Sequence, residues 1–322
     1  MRADDLQAGA PEAARSLQPL QPPQPPQPPQ SAQSAQSKPA PLPRPWPLPR
    51  LVRLSLVLHV ALLAALLLAP QQWRWQLALL FVNHLLIAVV GLWPRSTWLG
   101  ENLLRLPPAA CARGDIALTI DDGPDALVTP MVLDLLALHG ARATFFCIGK
   151  QAALHPALCR EILARGHALE NHSQSHRHDF SLRGPGGMKR EIETAQRTLH
   201  GITGEWPQFF RAPAGLRNPF LAPVLCQLGL RLASWTRRGF DTRCGDANTV
   251  NARLLRGLSA GDILLLHDGH GARTPQGVPV IVAALPGLLQ AGKEAGLRFV
   301  TLPQAFDMQA GSARFGQQAA LP

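Results

Sequence analysis

Two kinds of apolar pattern divide the chain. Between residues 51 and 93 apolar side chains run almost without a break. LSLVLHVALLAALLLA (54–69) carries His59, and LALLFVNHLLIAVVGLW (77–93) carries Asn83 and His84 near its middle. Each run spans roughly 25 Å as a helix, close to the hydrocarbon thickness of a bilayer. Trp73, Trp75, Trp93 and Trp98 stand at the ends of these runs, as interfacial anchors do. The rivals are a signal peptide and buried helices of a soluble domain. Pro70 stands where a signal peptide's small-residue cleavage site would be. The pattern therefore predicts a two-helix transmembrane hairpin over 51–93, with Asn83 and His84 forming a polar contact between the helices.

From about residue 114 the pattern changes to short apolar runs separated by helix-period segments. The runs at 116–120, 143–149, 167–171, 209–212, 230–235, 262–267 and 297–302 read as strands. Helical segments lie between them, such as TPMVLDLLALHG (129–140), with Pro130 just inside its start and Gly140 at its end. QAALHPALCREILARGH (151–167) and GGMKREIETAQRTLHGI (186–202) are two more. About seven such repeats predict an α/β fold with a parallel sheet, either closed as a barrel or open and doubly wound. The predicted domains are a disordered Pro/Gln-rich tail over 1–48, the hairpin over 51–93, a linker over 94–113, a catalytic domain over 114–305 and a tail over 306–322.

Charge adds a direction. The 322 residues carry a formal net charge of +10, yet no Lys/Arg block with interleaved aromatics appears, so a nucleic-acid partner is not expected. A basic chain with membrane-length apolar runs is better matched to anionic headgroups or phosphorylated substrates. Lys38, Arg44, Arg50 and Arg53 precede the first run, Arg74 lies between the runs, and Arg95, Arg105 and Arg113 follow the second. The positive-inside bias then places both outer flanks in the cytoplasm of a bacterial cell, with the chain a multi-pass inner-membrane protein. Held there by a short linker, the domain would reach sugars near the headgroups, such as a lipid-linked precursor. The five cysteines are scattered without a CxxC, which excludes a zinc knuckle and argues against a disulfide framework.

Polar clusters follow the apolar runs, where an α/β barrel carries its chemistry. Asp121 and Asp122 close the first strand, His172 and His176 follow the third, and Arg211 the fourth. Asp241 lies in the loop after the fifth, and His267 ends the sixth. Gly123-Pro124 forces a turn that lets the two adjacent carboxylates project differently, one toward a metal and one free as a base. His172 and His176 have the i,i+4 spacing that stacks imidazoles on one side of a helical turn. With one Asp they make three ligands and an open position, the composition of a catalytic divalent-metal site.

In order, TIDDGP, HSQSH, FRAPAG, WTRRGFD and LLLHDG resemble the five motifs of the polysaccharide deacetylase family, the NodB-homology domain, across about residues 112–305. The resemblance implies a distorted (β/α) barrel that hydrolyses N- or O-acetyl groups on sugars with a divalent metal. Zn2+ is the expected ion, with Co2+ or Ni2+ as alternatives. By position, Asp121 resembles the catalytic base, and Asp122, His172 and His176 the metal ligands. Arg211 resembles the arginine that orients the base, His267 the general acid, and Asp241 the carboxylate that fixes that acid. Three motifs depart from the pattern. Ile120 replaces a Phe, Ala214 an aromatic whose backbone N–H helps hold the oxyanion, and Arg238 and Thr242 replace the Asp and Trp of the fourth motif. Because an amide nitrogen leaves poorly unless protonated, a separate acid at His267 favours N-deacylation. The expectation is a membrane-anchored, metal-dependent deacetylase of a polysaccharide or lipid-linked glycan. The alternatives are a metal amidohydrolase of a non-sugar amide and a non-catalytic glycan-binding relic of the fold.

Overall fold

The structure, a computed structural model, describes residues 40–306. Of the expected tails over 1–48 and 306–322, residues 1–39 and 307–322 lie outside the described residues. The stretch 40–48 is instead tied to the domain by the Arg44 backbone N–H, which donates to the Cys226 carbonyl at 2.8 Å, and by the Arg44–Glu101 ion pair at 2.6 Å. Two long helices come first, α1 (Arg50–Leu68) and α2 (Trp73–Gly91). Both are long and apolar enough to cross a membrane, with mean hydropathy 2.4 for the first and 1.5 for the segment containing the second. Most of their side chains are exposed, Leu54, Val60, Phe81 and Leu85 among them, so they do not form a core of the kind a soluble domain buries. The helices touch each other through a polar contact. Asn83 Nδ2 donates to Ser55 Oγ at 2.9 Å, and the His59 and His84 rings meet edge-on at 5.3 Å.

The remainder is an α/β half-barrel. After the short helix α3 (Pro108–Ala112) come β1 (Asp115–Asp121), α4 (Val128–Leu138), β2 (Ala143–Cys147), α5 (Gly149–Leu154), α6 (Pro156–Ala164) and β3 (Ala168–Asn171). There follow α7 (Pro185–Thr203), β4 (Phe209–Phe210), α8 (Leu221–Gln227), β5 (Arg231–Leu232) and β6 (Arg237–Arg238). The order ends with α9 (Ala247–Leu255), β7 (Ile263–His267), α10 (Val280–Glu294) and β8 (Arg298–Phe299). The strands are parallel in the order β5-β4-β3-β2-β1-β7-β6, with β8 paired to the start of β1. Buried on both faces, β1 and β7 read as largely apolar runs. The core between sheet and helices gathers Ile116, Leu118, Val132, Leu136, Leu264 and Leu285.

Apart from β1, which extends one residue beyond its run at each end, the observed strands are shorter than the apolar runs that announced them. Gly149 already starts α5, and Pro213–Gly215 forms a 3-10 turn directly after the fourth run. The run 230–235 supplies only β5, and β6, built from Arg237 and Arg238, has no apolar signal at all. The segment 151–167 divides at His155-Pro156 into α5 and α6, because proline cannot donate within a helix. The open edge of the half-barrel is bordered by the segment after α2. Leu103 bridges Ala233 beyond β5, and Arg105 bridges Asp262 before β7. Arg105 also pairs with the Asp262 carboxylate at 2.7 Å.

Candidate metal centre and active site

The polar groups converge at the C-terminal ends of the strands. Asp121 is the last residue of β1 and stands in register with His267, the last of β7. Asp122 follows with φ 75°, so the turn into Gly123-Pro124 begins inside the Asp pair and sends the two carboxylates apart. His172 and His176 lie in an irregular loop after β3, not on the helical turn their spacing predicted; Ser173 and His176 both have positive φ. That loop has its own anchors. Asn171 Oδ1 accepts from Ser173 N at 2.8 Å, Ser173 Oγ from His176 N at 3.0 Å, and Glu191 on α7 binds the Ser175 hydroxyl.

The two imidazoles meet on one carboxylate oxygen. Asp122 Oδ1 is 3.2 Å from His172 Nε2 and 3.3 Å from His176 Nε2, and it is buried without a hydrogen-bond partner. Leaving such an atom unmatched is costly; a cation between the three donors would satisfy it. The three ligand atoms lie within 4.8 Å of one another, and two imidazoles with one carboxylate suit a divalent ion of the zinc type. Next to His172 Nδ1, at 2.9 Å, is the carbonyl oxygen of Arg211. A carbonyl only accepts, so in the neutral ring the proton sits on Nδ1 and the Nε2 lone pair faces Asp122.

Burial and charge set the protonation states. Burial pushes His176 down to about 4, aided by the neighbouring His172, which keeps its lone pair available. Burial opposes charge on His172 too, but Asp121 and Asp122 outweigh it and raise its pKa. The Asp122 carboxyl resists burial in the same way and is held far below the usual carboxylate range by His172 and His270. The shifts of His172 and Asp122, unlike that of His176, mark a point where positive charge is favoured. A proton and a metal ion would compete for it.

Asp121 is held separately. Arg211 Nη1 donates to Asp121 Oδ1 at 2.7 Å and Nη2 to the Ser234 carbonyl at 2.9 Å. The guanidinium is 1 % exposed and lies 4.1 Å over the Phe146 ring. Asp121 Oδ2 stays 3.9 Å from His172 Nε2. On the other side, His267 Nδ1 lies 3.0 Å from Asp241 Oδ1, while Asp241 Oδ2 accepts the His267 backbone N–H at 2.7 Å. Asp241 is wholly buried. Burial opposes charge on His267, and Asp241 reverses the balance to raise its pKa. The structure therefore brings all seven residues singled out in the sequence into one cluster. In the departed fourth motif, Arg238 lies over the rings of Trp235 and Phe240.

Two further residues belong to this cluster and were not singled out. Asp268 sits beneath the Asp121–Pro124 turn; its N–H donates to Asp121 O at 3.2 Å, and its carboxylate accepts from Thr129 Oγ1 at 2.5 Å. Burial pushes this carboxyl up to about 7. His270, largely exposed, places Nδ1 3.5 Å from Asp122 Oδ2. Both follow His267 within LLLHDGHG, so position at a strand end was the available signal.

Comparison with known proteins agrees with this geometry. The family model described as polysaccharide deacetylase matches residues 111–233. A Bacillus cereus peptidoglycan-N-acetylglucosamine deacetylase is 34% identical over 191 residues, 59% of this chain and 86% of that protein. The peptidoglycan-N-acetylglucosamine deacetylase PgdA of Listeria monocytogenes is 32% identical over 62% of this chain, which spans only 40% of that protein's length. The crystal structure of the Bc1960 peptidoglycan N-acetylglucosamine deacetylase superposes with a TM-score of 0.58 at 27% identity, covering 64% of this chain and 92% of that one. Fold, ordered motifs and relatives agree: the chain belongs to the polysaccharide deacetylase family.

Proposed function

We propose that the chain is a membrane-anchored, metal-dependent hydrolase that removes acetyl groups from the nitrogen of amino sugars in a glycan. The observation that carries the reading is the buried, unmatched Asp122 Oδ1 between two imidazole nitrogens, beside a carboxylate that Arg211 holds apart from them. Asp122, His172 and His176 would hold a divalent ion, most naturally Zn2+. When bound, that ion supplies Lewis acidity and makes a water acidic near neutral pH.

The residues divide the remaining work. Asp121, its Oδ1 fixed by Arg211, keeps Oδ2 to take the proton of the attacking water as general base. The backbone N–H of the Ala214 turn, which follows β4 with φ 54°, helps hold the oxygen of the tetrahedral adduct. His267, fixed through Nδ1 by Asp241, gives its Nε2 proton to the leaving amine nitrogen. Asp121 and His267, at neighbouring strand ends, thus act as base and acid.

Exposed apolar side chains along α1 and α2 support the membrane anchor, as does the buried Asn83–Ser55 contact between them. The cationic flanks at Arg44, Arg50, Arg53, Arg95 and Arg105 favour a cytoplasmic catalytic domain. The test is acetate release by the purified full chain in detergent from chitooligosaccharides and other N-acetyl glycans, with and without a chelator. Metal-dependent release is expected. No release from any N-acetyl glycan, with stoichiometric metal bound, would overturn the reading.

A further inference from the structure

The segment after α2 does not leave the helix as a free tether. It runs straight onto the loops that carry the site. Arg217, at the end of the fourth-strand loop, donates its backbone N–H to the Gly91 carbonyl at 3.1 Å and its guanidinium to the Ser96 carbonyl. A Cβ on Gly91 would strike the Arg217 carbonyl. Gly215, at φ 73°, packs between Pro94 and Trp235 where no side chain fits. Ser234, whose carbonyl holds Arg211, sends its hydroxyl to Pro94 O at 3.2 Å. From Asp121 to the end of the apolar helix the path is Arg211, Ser234, Pro94, three contacts of 2.7, 2.9 and 3.2 Å.

These contacts fix an orientation. The hairpin meets the half-barrel at the face where the strands end and the site opens. On that same face Leu127, Leu182, Phe220, Phe240 and Val278 lie exposed on loops that follow strands, where water would ordinarily select polar residues. Arg243 and Arg273 are exposed among them, as is Arg177, which is paired with Asp179 at 2.9 Å. Trp93 and Trp98, 59% and 57% exposed, mark the helix end where an aromatic belt would sit. Apolar tips, basic side chains and interfacial tryptophans together form a surface suited to anionic headgroups.

We propose that the hairpin holds the mouth of the site against the membrane surface, and that the substrate is an amino sugar carried on a lipid anchor. This rests on the deacetylase reading and narrows its substrate. A thick polymer would have to pass between the mouth and the bilayer, whereas a sugar attached to a lipid arrives from that side.

The full chain in nanodiscs of phosphatidylcholine and phosphatidylglycerol tests both parts. A fluorescent amino acid is placed at Leu182, at Phe240 and, as control, at Leu138 on the opposite end of α4. Headgroup-spin-labelled lipid should quench the first two at least twice as strongly as the third. Equal quenching, or stronger quenching at Leu138, overturns the orientation. In the same discs, kcat/KM for a polyprenyl-phosphate-linked N-acetyl sugar should exceed that for soluble tri-N-acetylchitotriose at least tenfold; equal or lower values overturn the substrate claim. Acetate from neither refutes the deacetylase reading instead, and the quenching result still decides the orientation.

Discussion

In the half-barrel the charged groups turn inward: Asp121, Asp122, Arg211, Asp241 and Asp262 are all buried. In the hairpin the apolar groups turn outward, with Leu54 67% and Phe81 68% exposed. The half-barrel holds its charges with pairs and carbonyl contacts, because an uncompensated buried charge would cost several kcal/mol. The hairpin's one buried side-chain hydrogen bond, Asn83 to Ser55, joins two helices whose outer surfaces are apolar. Polar groups in the first region are therefore expected to carry chemistry and large energies, and those in the second small packing energies.

The strongest way to break this contrast is at the proposed base. Asp121→Asn keeps the shape and the Arg211 contact but removes the proton acceptor, and turnover should fall by about 10^4. A steady-state acetate assay checks it; a loss below tenfold would mean that Asp121 is not the base. Next is Arg211→Met, which leaves Asp121 buried without its counter-charge. Unfolding stability should drop by about 3–5 kcal/mol, read by denaturant titration in detergent. His267→Ala sharpens the assignment of the acid. Loss of about 10^2 or more is expected on an N-acetyl sugar, against little change on an aryl acetate, whose leaving group departs unprotonated.

A smaller effect comes from His167, whose Nδ1 accepts the Ala143 N–H at 3.2 Å. Burial, with Arg142 and Arg165 nearby, pushes its pKa down to about 4. The unfolded chain takes up this proton first as pH falls, so stability from the neutral ring is full above about 6.5 and is lost between about 6.5 and 4. The slope should reach at most about 1.4 kcal/mol per pH unit. His167→Gln should flatten it in melts recorded across that window. Smallest is Asn83→Ala, expected to cost about 0.6 kcal/mol of helix association and to leave kcat unchanged.

Legibility in the sequence followed the same division. Long apolar runs at 54–69 and 77–93 announced α1 and α2 because lipid-length helices need nothing from distant residues. The strands β1, β2 and β7 were equally plain, since burial on both faces makes them largely apolar runs. β6 was not legible: Arg237 and Arg238 form a strand only because β7 offers backbone partners at Leu264 and Leu265. His172 and His176 were found by spacing, but the spacing misread their backbone. The loop is shaped by Asn171 and by Glu191 on α7, contacts that lie 16 and more residues away in part. Asp268 escaped for a similar reason. Its role beneath the Asp121–Pro124 turn depends on Thr129 in α4, which no local pattern connects to it. The segment 94–113, expected as a linker, carries backbone bridges to Ala233 and Asp262 that only the folded sheet edge can reveal.

In the proposed reaction two adjacent aspartates do different things, one binding a metal and one taking a proton. Titrating the metal-free full chain with Co2+ and following its visible absorption separates them. Wild type and Asp121→Asn should each bind one equivalent with the intense bands of a low-coordinate site, while Asp122→Asn should bind at least tenfold more weakly. Equal binding by the two variants, or the stronger loss in Asp121→Asn, would contradict the assignment.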